Sequence, residues 1–160
     1  MTLQDLGNAG ELLGAIAVLA SLIYLGLQIR QNTTTVRAGT SAAISESLAR
    51  VTEVLGSDPR AARAYFNGLL GDASLDSETH LQFVNLFSSY LRRVENAYYQ
   101  QARGFVDSDH WQTTARTFST TMKLPGARRQ WEVSHHLYSD RFGAFVNSCI
   151  AEHETDSPTT

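Results

Sequence analysis

An uncharged apolar segment near the start of the chain limits what this sequence can fold into more than any other feature. The segment from Leu12 to Ile29 contains eighteen consecutive residues without a formal charge. As an α-helix it would be about 27 Å long at ~1.5 Å per residue, and the hydrocarbon core of a bilayer is about 30 Å thick. The segment therefore predicts an N-terminal transmembrane helix, with residues 1–31 forming that helix and its flanks.

Two other interpretations of this segment stay open. A helix buried in the core of a soluble protein and a cleaved signal peptide both contain similar apolar runs. A signal peptide normally begins with positively charged residues, whereas residues 1–11 contain Asp5 and Glu11 and neither Lys nor Arg. We therefore favour a membrane span, with the lipid bilayer as a partner.

The charges that flank the segment predict its orientation. Arg30 and Arg37 follow the segment, and no basic residue precedes it. Because Lys and Arg are retained on the cytoplasmic side of a membrane, we expect the N-terminus outside and the remaining chain in the cytoplasm. The single cysteine, Cys149, fits a reducing compartment and excludes a disulfide scaffold.

One face of the predicted transmembrane helix carries small and polar residues at spacings of three and four. Small residues let helix backbones approach closely in lipid, so this face predicts a homo-oligomer or a subunit of a larger membrane complex. Glycine and alanine are also simply common in membrane helices, and a pore lined by Ser21, Tyr24 and Gln28 is a further alternative that the uncharged segment disfavours. The residues of this face are Gly10, Gly14, Ala17, Ser21, Tyr24 and Gln28.

The overall charge excludes one large class of partners. The chain has 13 basic and 16 acidic residues, and the basic residues do not cluster. A nucleic-acid-binding module concentrates Lys and Arg on one face, so we expect no nucleic-acid partner.

Residues 32–151 are predicted to form an all-α domain of five or six helices, followed by a polar tail at residues 152–160. Ile44, Leu48, Val51 and Leu55 follow helical spacing and predict that the first helix continues until about Gly56. Later helices have clear start and stop residues, such as Asp58 with Pro59 and then Gly71, and Pro125 with Gly126 interrupts the chain.

The longest helix of this domain is predicted from about Ser77 to Arg103. It carries two apolar seams, which is typical of a central helix packed on several sides. The first seam consists of Leu81, Val84, Ser88, Leu91, Glu95, Tyr98, Ala102 and Phe105, and the second of Phe83, Phe87, Tyr90, Val94 and Ala97.

Glu95 is the most unusual residue of this helix because it interrupts an apolar seam between Leu91 and Tyr98. A buried carboxylate has to be paired, protonated or bound to a metal, since unpaired burial is costly. Arg92 lies three residues earlier, within reach along the helix. Two interpretations follow: a polar ligand-binding cleft, or an ion pair that fixes the packing of the helices, which we favour. The candidate ligand-binding residues are Arg92, Glu95, Asn96 and Tyr99.

Other sequence patterns for catalysis or metal binding are weak. The five histidines do not form an HExxH pattern, and the sequence contains neither a nucleophile elbow nor a phosphate-binding glycine loop. Cys149 lies beside Phe145, Val146 and Ile150, which predicts a core position. We expect no cofactor, no metal and no catalytic residue, and Glu95 with His136 is the one acid–base pair on which an enzyme could be built.

The motif Gln28-Ile29-Arg30-Gln31-Asn32-Thr33 ends the apolar segment, and Arg93–Gln100 and Phe142-x-x-Phe145-Val146 follow later. Together they resemble a set of small uncharacterised bacterial single-span membrane proteins. The resemblance implies a bacterial inner-membrane location with a helical cytoplasmic domain, and it implies no activity. We therefore expect a membrane-anchored interaction or accessory protein, with a membrane-tethered small-ligand-binding or sensor domain around Glu95 as the alternative.

Overall fold

The structure is a computed structural model that describes the backbone of residues 3–156 and the side chains of residue 4 and residues 10–151. Its contacts divide the chain into two compact units, Met1–Gly39 and Thr40–Thr160. This division lies after Gly39, further along the chain than the boundary expected after residue 31.

Six α-helices form the described part of the chain, and residues 3–156 contain no β-strand. This confirms the all-α prediction. A short 3-10 turn at His135–Leu137 precedes the last helix. The helices are α1 (Leu3–Ser57), α2 (Pro59–Leu70), α3 (Ser77–Ala102), α4 (Ser108–Met122), α5 (Pro125–Ser134) and α6 (Asp140–Asp156).

The first unit is the N-terminal part of α1, and its apolar side chains are exposed. The eleven large apolar side chains from Leu12 to Ile29 are each 51–67% exposed. By length and composition, α1 is the one helix among the described residues that is long and apolar enough to cross a bilayer, and no residue of its apolar window is buried.

The C-terminal part of α1 belongs to the second unit and packs there. The prediction that the first helix continues past the apolar segment is confirmed, since α1 is unbroken to Ser57. Ile44 and Val51 are buried in this unit. Arg93 of α3 donates from Nη1 to the Ser47 carbonyl oxygen at 2.6 Å and to Ser47 Oγ at 2.7 Å, which ties α1 to α3.

Helix ends follow local sequence chemistry at most of the predicted positions. Asp58 Oδ1 accepts from the Arg60 amide at 2.8 Å, and Pro59 opens α2. Gly71 ends α2 with a φ of 77°, a left-handed conformation that glycine adopts without strain. Pro125 separates α4 from α5 by occupying the start of α5. The first part of the predicted polar tail at residues 152–160 is helical, because α6 extends to Asp156. Residues 157–160 lie outside the described residues.

The core of the second unit is built around α3 and follows the second predicted seam, of which Phe83, Phe87, Val94 and Ala97 are buried. The largest fully buried side chains include Phe87, Leu91 and Val94 from α3, with Phe118 from α4 and Phe142 from α6. Leu91 comes from the first predicted seam and the other α3 residues from the second. The assignment of Leu81 to a packed seam was wrong, since Leu81 is 59% exposed. Packing of α2 against the Phe83 side of α3 leaves the Leu81 side open.

Helices α2 and α5 approach each other through glycine. A Cβ atom added at Gly126 would collide with the Gly68 carbonyl oxygen and would lie 2.8 Å from the Gly71 amide nitrogen and from the Leu69 carbonyl oxygen. All three neighbours are backbone atoms, which cannot rotate away as a side chain can. The contact therefore requires a residue without a side chain at position 126.

We expect Gly126→Ala to lower the free energy of unfolding by about 1–3 kcal/mol, because the new methyl group overpacks a rigid contact. Gly143→Ala on α6 is the matched control, since the nearest atom to its new Cβ is a Trp131 ring carbon at 4.0 Å. We expect that control to be neutral or stabilising, as alanine favours a helix over glycine. Chemical denaturation of the two variants measures the difference; equal stabilities would contradict the packing described here.

Candidate functional site

The predicted pairing of Arg92 with Glu95 is present on α3. Arg92 Nη1 donates to Glu95 Oε2 at 3.1 Å, and the side chains are 54% and 13% exposed respectively. Arg92 Nη2 donates to the Leu137 carbonyl oxygen at 2.8 Å, and the guanidinium carbon lies 4.3 Å from the ring centroid of Tyr138. Arg92 therefore joins α3 to the turn that precedes α6.

The second carboxylate oxygen of Glu95 binds the start of α6. Glu95 Oε1 accepts from the Ser139 amide at 3.1 Å and from Ser139 Oγ at 3.0 Å. The Ser139 carbonyl accepts from the Gly143 amide at 2.8 Å, which starts the hydrogen-bond ladder of α6. A negative charge beside a helix N-terminus is stabilising, so Glu95 acts as a capping group for α6 although it belongs to α3.

The other two candidate residues of this region differ in their placement. The Tyr99 hydroxyl donates to Ser139 Oγ at 2.6 Å and so joins the same network. Asn96 is exposed, and its Oδ1 accepts from Gln100 Nε2 at 3.5 Å, which leaves it outside that network. Ser139 is a member of the network that sequence reasoning did not select, because the sequence does not show that this residue lies against Glu95 of α3.

Tyr138 covers the network from one side. Burial raises the pKa of the Tyr138 phenol, while the nearby positive charge of Arg92 works in the opposite direction. The phenol is therefore neutral at physiological pH, and its ring presents its face to the guanidinium, which is the geometry of a cation–π contact. This contact holds Arg92 in the position from which it pairs with Glu95.

The geometry favours the ion-pair interpretation of Glu95 over the ligand-cleft interpretation. Both carboxylate oxygens bind groups of the chain, and these bonds connect α3, the 3-10 turn and α6. The proposed acid–base partner, His136, is exposed on that turn, while the carboxylate bonds go to Arg92 and Ser139. Among the described residues, no three His, Cys, Asp or Glu side chains cluster in a way that could hold a metal ion.

The predicted association face on α1 is open to its surroundings. Cβ atoms added at Gly10 and Gly14 would meet nothing within 4 Å. Ser21 Oγ donates to the Ala17 carbonyl oxygen at 2.8 Å, so this hydroxyl is satisfied within the helix. Ala17 and Gln28 are exposed. The first part of the face therefore carries only small side chains, and the larger side chains of Tyr24 and Gln28 are exposed at its end.

A cleft in the second unit contains residues that the sequence reasoning did not select as a site. It lies between the C-terminal part of α1 and helices α2, α3 and α4, with Tyr65 and Tyr90 among its lining residues. Threonines at positions 113, 117 and 121 line it from α4. Their spacing of four was visible in the sequence, but the sequence does not show which helices face them.

Comparison of the chain with protein-family models, with curated proteins and with solved structures gives no match.

A double-mutant cycle tests whether Glu95 caps α6. We expect Glu95→Ala to lower the free energy of unfolding by about 1.5–3 kcal/mol, because two donors of Ser139 lose a charged acceptor. Ser139→Ala should lower the free energy of unfolding much less in the Glu95→Ala variant than in the native chain. Such a difference reports a direct interaction between the two residues. Chemical denaturation of the four proteins gives the coupling.

The matched control is the Glu46–Arg50 pair, which has a similar N–O distance of 2.8 Å but is exposed on both sides, at 63% and 68%. Replacing either partner with alanine should leave stability unchanged, since exposed ion pairs contribute little. Strictly additive effects of the Glu95 and Ser139 substitutions would overturn the capping role.

Proposed function

We propose that this protein is a single-span membrane-anchored interaction or accessory protein, with α1 as the anchor and the helical second unit as the docking domain. The observation that carries the proposal is the exposure of eleven large apolar side chains between Leu12 and Ile29. Each such side chain contributes about 1.5–3 kcal/mol when it leaves water for an apolar environment. A bilayer supplies that environment along the whole segment.

The burial pattern also separates the proposal from the soluble-core alternative. The core helix of a soluble protein is mostly buried, whereas none of the apolar window of α1 is buried within this chain. The length of the segment supports a bilayer rather than a small docking patch. The resemblance of the Gln28–Thr33 motif to bacterial single-span membrane proteins supports the same conclusion and favours the bacterial inner membrane.

The orientation that we propose places the N-terminus outside and the second unit in the cytoplasm. Arg30 directly follows the apolar segment and Arg37 lies two helical turns later, and positively charged residues are retained on the cytoplasmic side. The second unit would then meet cytoplasmic partners while α1 meets partners in the membrane.

Fractionation of cells tests the anchor. We expect the native chain to sediment with membranes and to resist extraction at alkaline pH. Leu19→Arg combined with Leu22→Arg should shift the chain toward the soluble fraction, because each Arg at the centre of a span costs about 2.5–3.5 kcal/mol. An Ala38→Arg and Ala42→Arg variant adds the same charge beyond the span and should stay in the membrane.

An orientation assay completes that test. An impermeant thiol reagent applied to the periplasmic side should label a Gln4→Cys variant and spare an Ala38→Cys variant. A native chain that stays in the supernatant without detergent, or that loses its N-terminal segment by cleavage, would overturn the anchor.

We further propose that α1 associates with a second copy or with a larger membrane complex through the face that contains Gly10, Gly14, Ala17, Ser21 and Gln28. Close backbone approach along small residues is how helices pack in lipid. The open surroundings of Gly10 and Gly14 leave room for such an approach.

Bulky residues on that face test the association. We expect Gly14→Ile with Ala17→Ile to reduce the assembly to a monomer, because the new side chains hold the two backbones apart. Leu13→Ile with Ile16→Leu, on the other face of α1, should retain the assembly. Light scattering of the detergent-solubilised chain measures the mass, and an unchanged mass in the Gly14 and Ala17 variant would contradict the proposal.

A further inference from the structure

The second unit contains a cleft that neither the ion pair nor the anchor uses. We name it the tyrosine–threonine cleft and define it by Leu48, Val51, Leu55, Tyr65, Tyr90 and Thr117. Its volume is about 370 Å³. Sites for small molecules occupy about 300–1,000 Å³ and are lined mainly by apolar and aromatic groups, so this cleft has the size and the composition of a small ligand site.

The lining of the cleft is uncharged, and most of its polar groups are already bonded. Its residues include no Asp, Glu, Lys, Arg or His. The α4 threonines donate their hydroxyl hydrogens to backbone carbonyls one turn earlier, at 3.1 Å for Thr113, Thr117 and Thr121 alike. The Tyr90 hydroxyl interacts with the side chain of Thr121. The cleft therefore offers a ligand chiefly methyl groups and ring faces.

Tyr65 supplies a phenolic polar contact in the cleft, and Thr52 adds an exposed hydroxyl. Among the side chains that the structure describes, none forms a hydrogen bond with the Tyr65 hydroxyl. Burial raises the pKa of both Tyr65 and Tyr90, and their proximity adds to the effect at Tyr65. Both phenols are therefore neutral at physiological pH, so the Tyr65 hydroxyl has a proton to donate.

We propose that the tyrosine–threonine cleft binds a neutral single-chain amphiphile, with its alkyl chain against the leucine, valine and threonine side chains and its polar end accepting a hydrogen bond from Tyr65. A charged end group would lose water without meeting an opposite charge in this lining, which is costly. The alkyl chain matches the methyl-rich walls, and the single phenolic donor matches a hydroxyl or another neutral acceptor. This site stands independently of the membrane anchor proposed for α1.

Photolabelling of the full chain in lipid nanodiscs tests the proposal, with decan-1-ol carrying a chain diazirine as the probe. We expect labelled peptides from residues 48–55, 65 and 113–121, and displacement of the label by unlabelled decan-1-ol. Thr117→Trp should reduce labelling of these peptides at least about tenfold because the ring fills the cleft. Thr120→Trp is the matched control, since Thr120 is an exposed α4 threonine outside the lining, and it should label like the native chain.

Two further comparisons examine the chemistry of the ligand. Tyr65→Phe should weaken displacement by decan-1-ol about threefold to tenfold, which corresponds to one neutral hydrogen bond. Decyltrimethylammonium should displace the probe poorly from the native chain.

If Thr117→Trp lowers the melting temperature of the chain, Ala49→Phe replaces it as the variant that fills the cleft, because Ala49 is an exposed lining residue. Arg50→Phe is then its control.

Several results would overturn the proposal. Two of them concern the place of labelling: equal labelling in the Thr117→Trp and Thr120→Trp variants, or labelling confined to residues 12–29. A third is that the cationic amphiphile displaces the probe as effectively as the alcohol does. The fourth is that only a short two-chain phospholipid displaces the probe. The last result would assign the cleft to lipid acyl chains in place of a free amphiphile.

Discussion

The buried stripe of α3 is the surface on which the second unit depends. Phe87, Leu91 and Val94 have no exposed area, and aromatic contacts link Phe87 and Phe118 through Tyr90. Because burial of apolar surface is the dominant stabilising term in folding, the helices that cover this stripe determine where every polar side chain of the unit lies. The position of Glu95, one turn beyond Leu91, follows from that packing.

Glu95 shows how an apolar seam tolerates a carboxylate. Its two oxygens bind Arg92 on the same helix and Ser139 at the start of α6, so the cost of taking the charge out of water is offset by charged hydrogen bonds. The same bonds set where α6 begins relative to α3. We therefore infer a structural role for the Arg92–Glu95 pair, and the tyrosine–threonine cleft becomes the better candidate for a ligand.

Helix α1 contains two segments with different demands on their surroundings. Its residues from Leu12 to Ile29 expose apolar side chains, whereas Ile44 and Val51 are buried within the second unit. The second segment finds its partners within this chain, because Ile44 packs with Ala97 and Val106 and the Ser47 carbonyl oxygen accepts from Arg93. The first segment requires partners that the chain does not supply, and this difference is the basis of the proposed anchor.

The sequence by itself determined the features that depend on neighbours along the chain. These include the helix class, the start of α2 at Asp58 and Pro59, the apolar segment of α1, and the contact between Arg92 and Glu95, which are three residues apart. Only the tertiary structure decided that Ser139 completes the Glu95 network, that Leu91 is buried and Leu81 exposed, and that Gly126 meets the backbone of α2. The physical reason is that a helical repeat specifies which residues share a face, while the rotation of each helix about its axis, and hence the partner of that face, is decided by packing between distant segments.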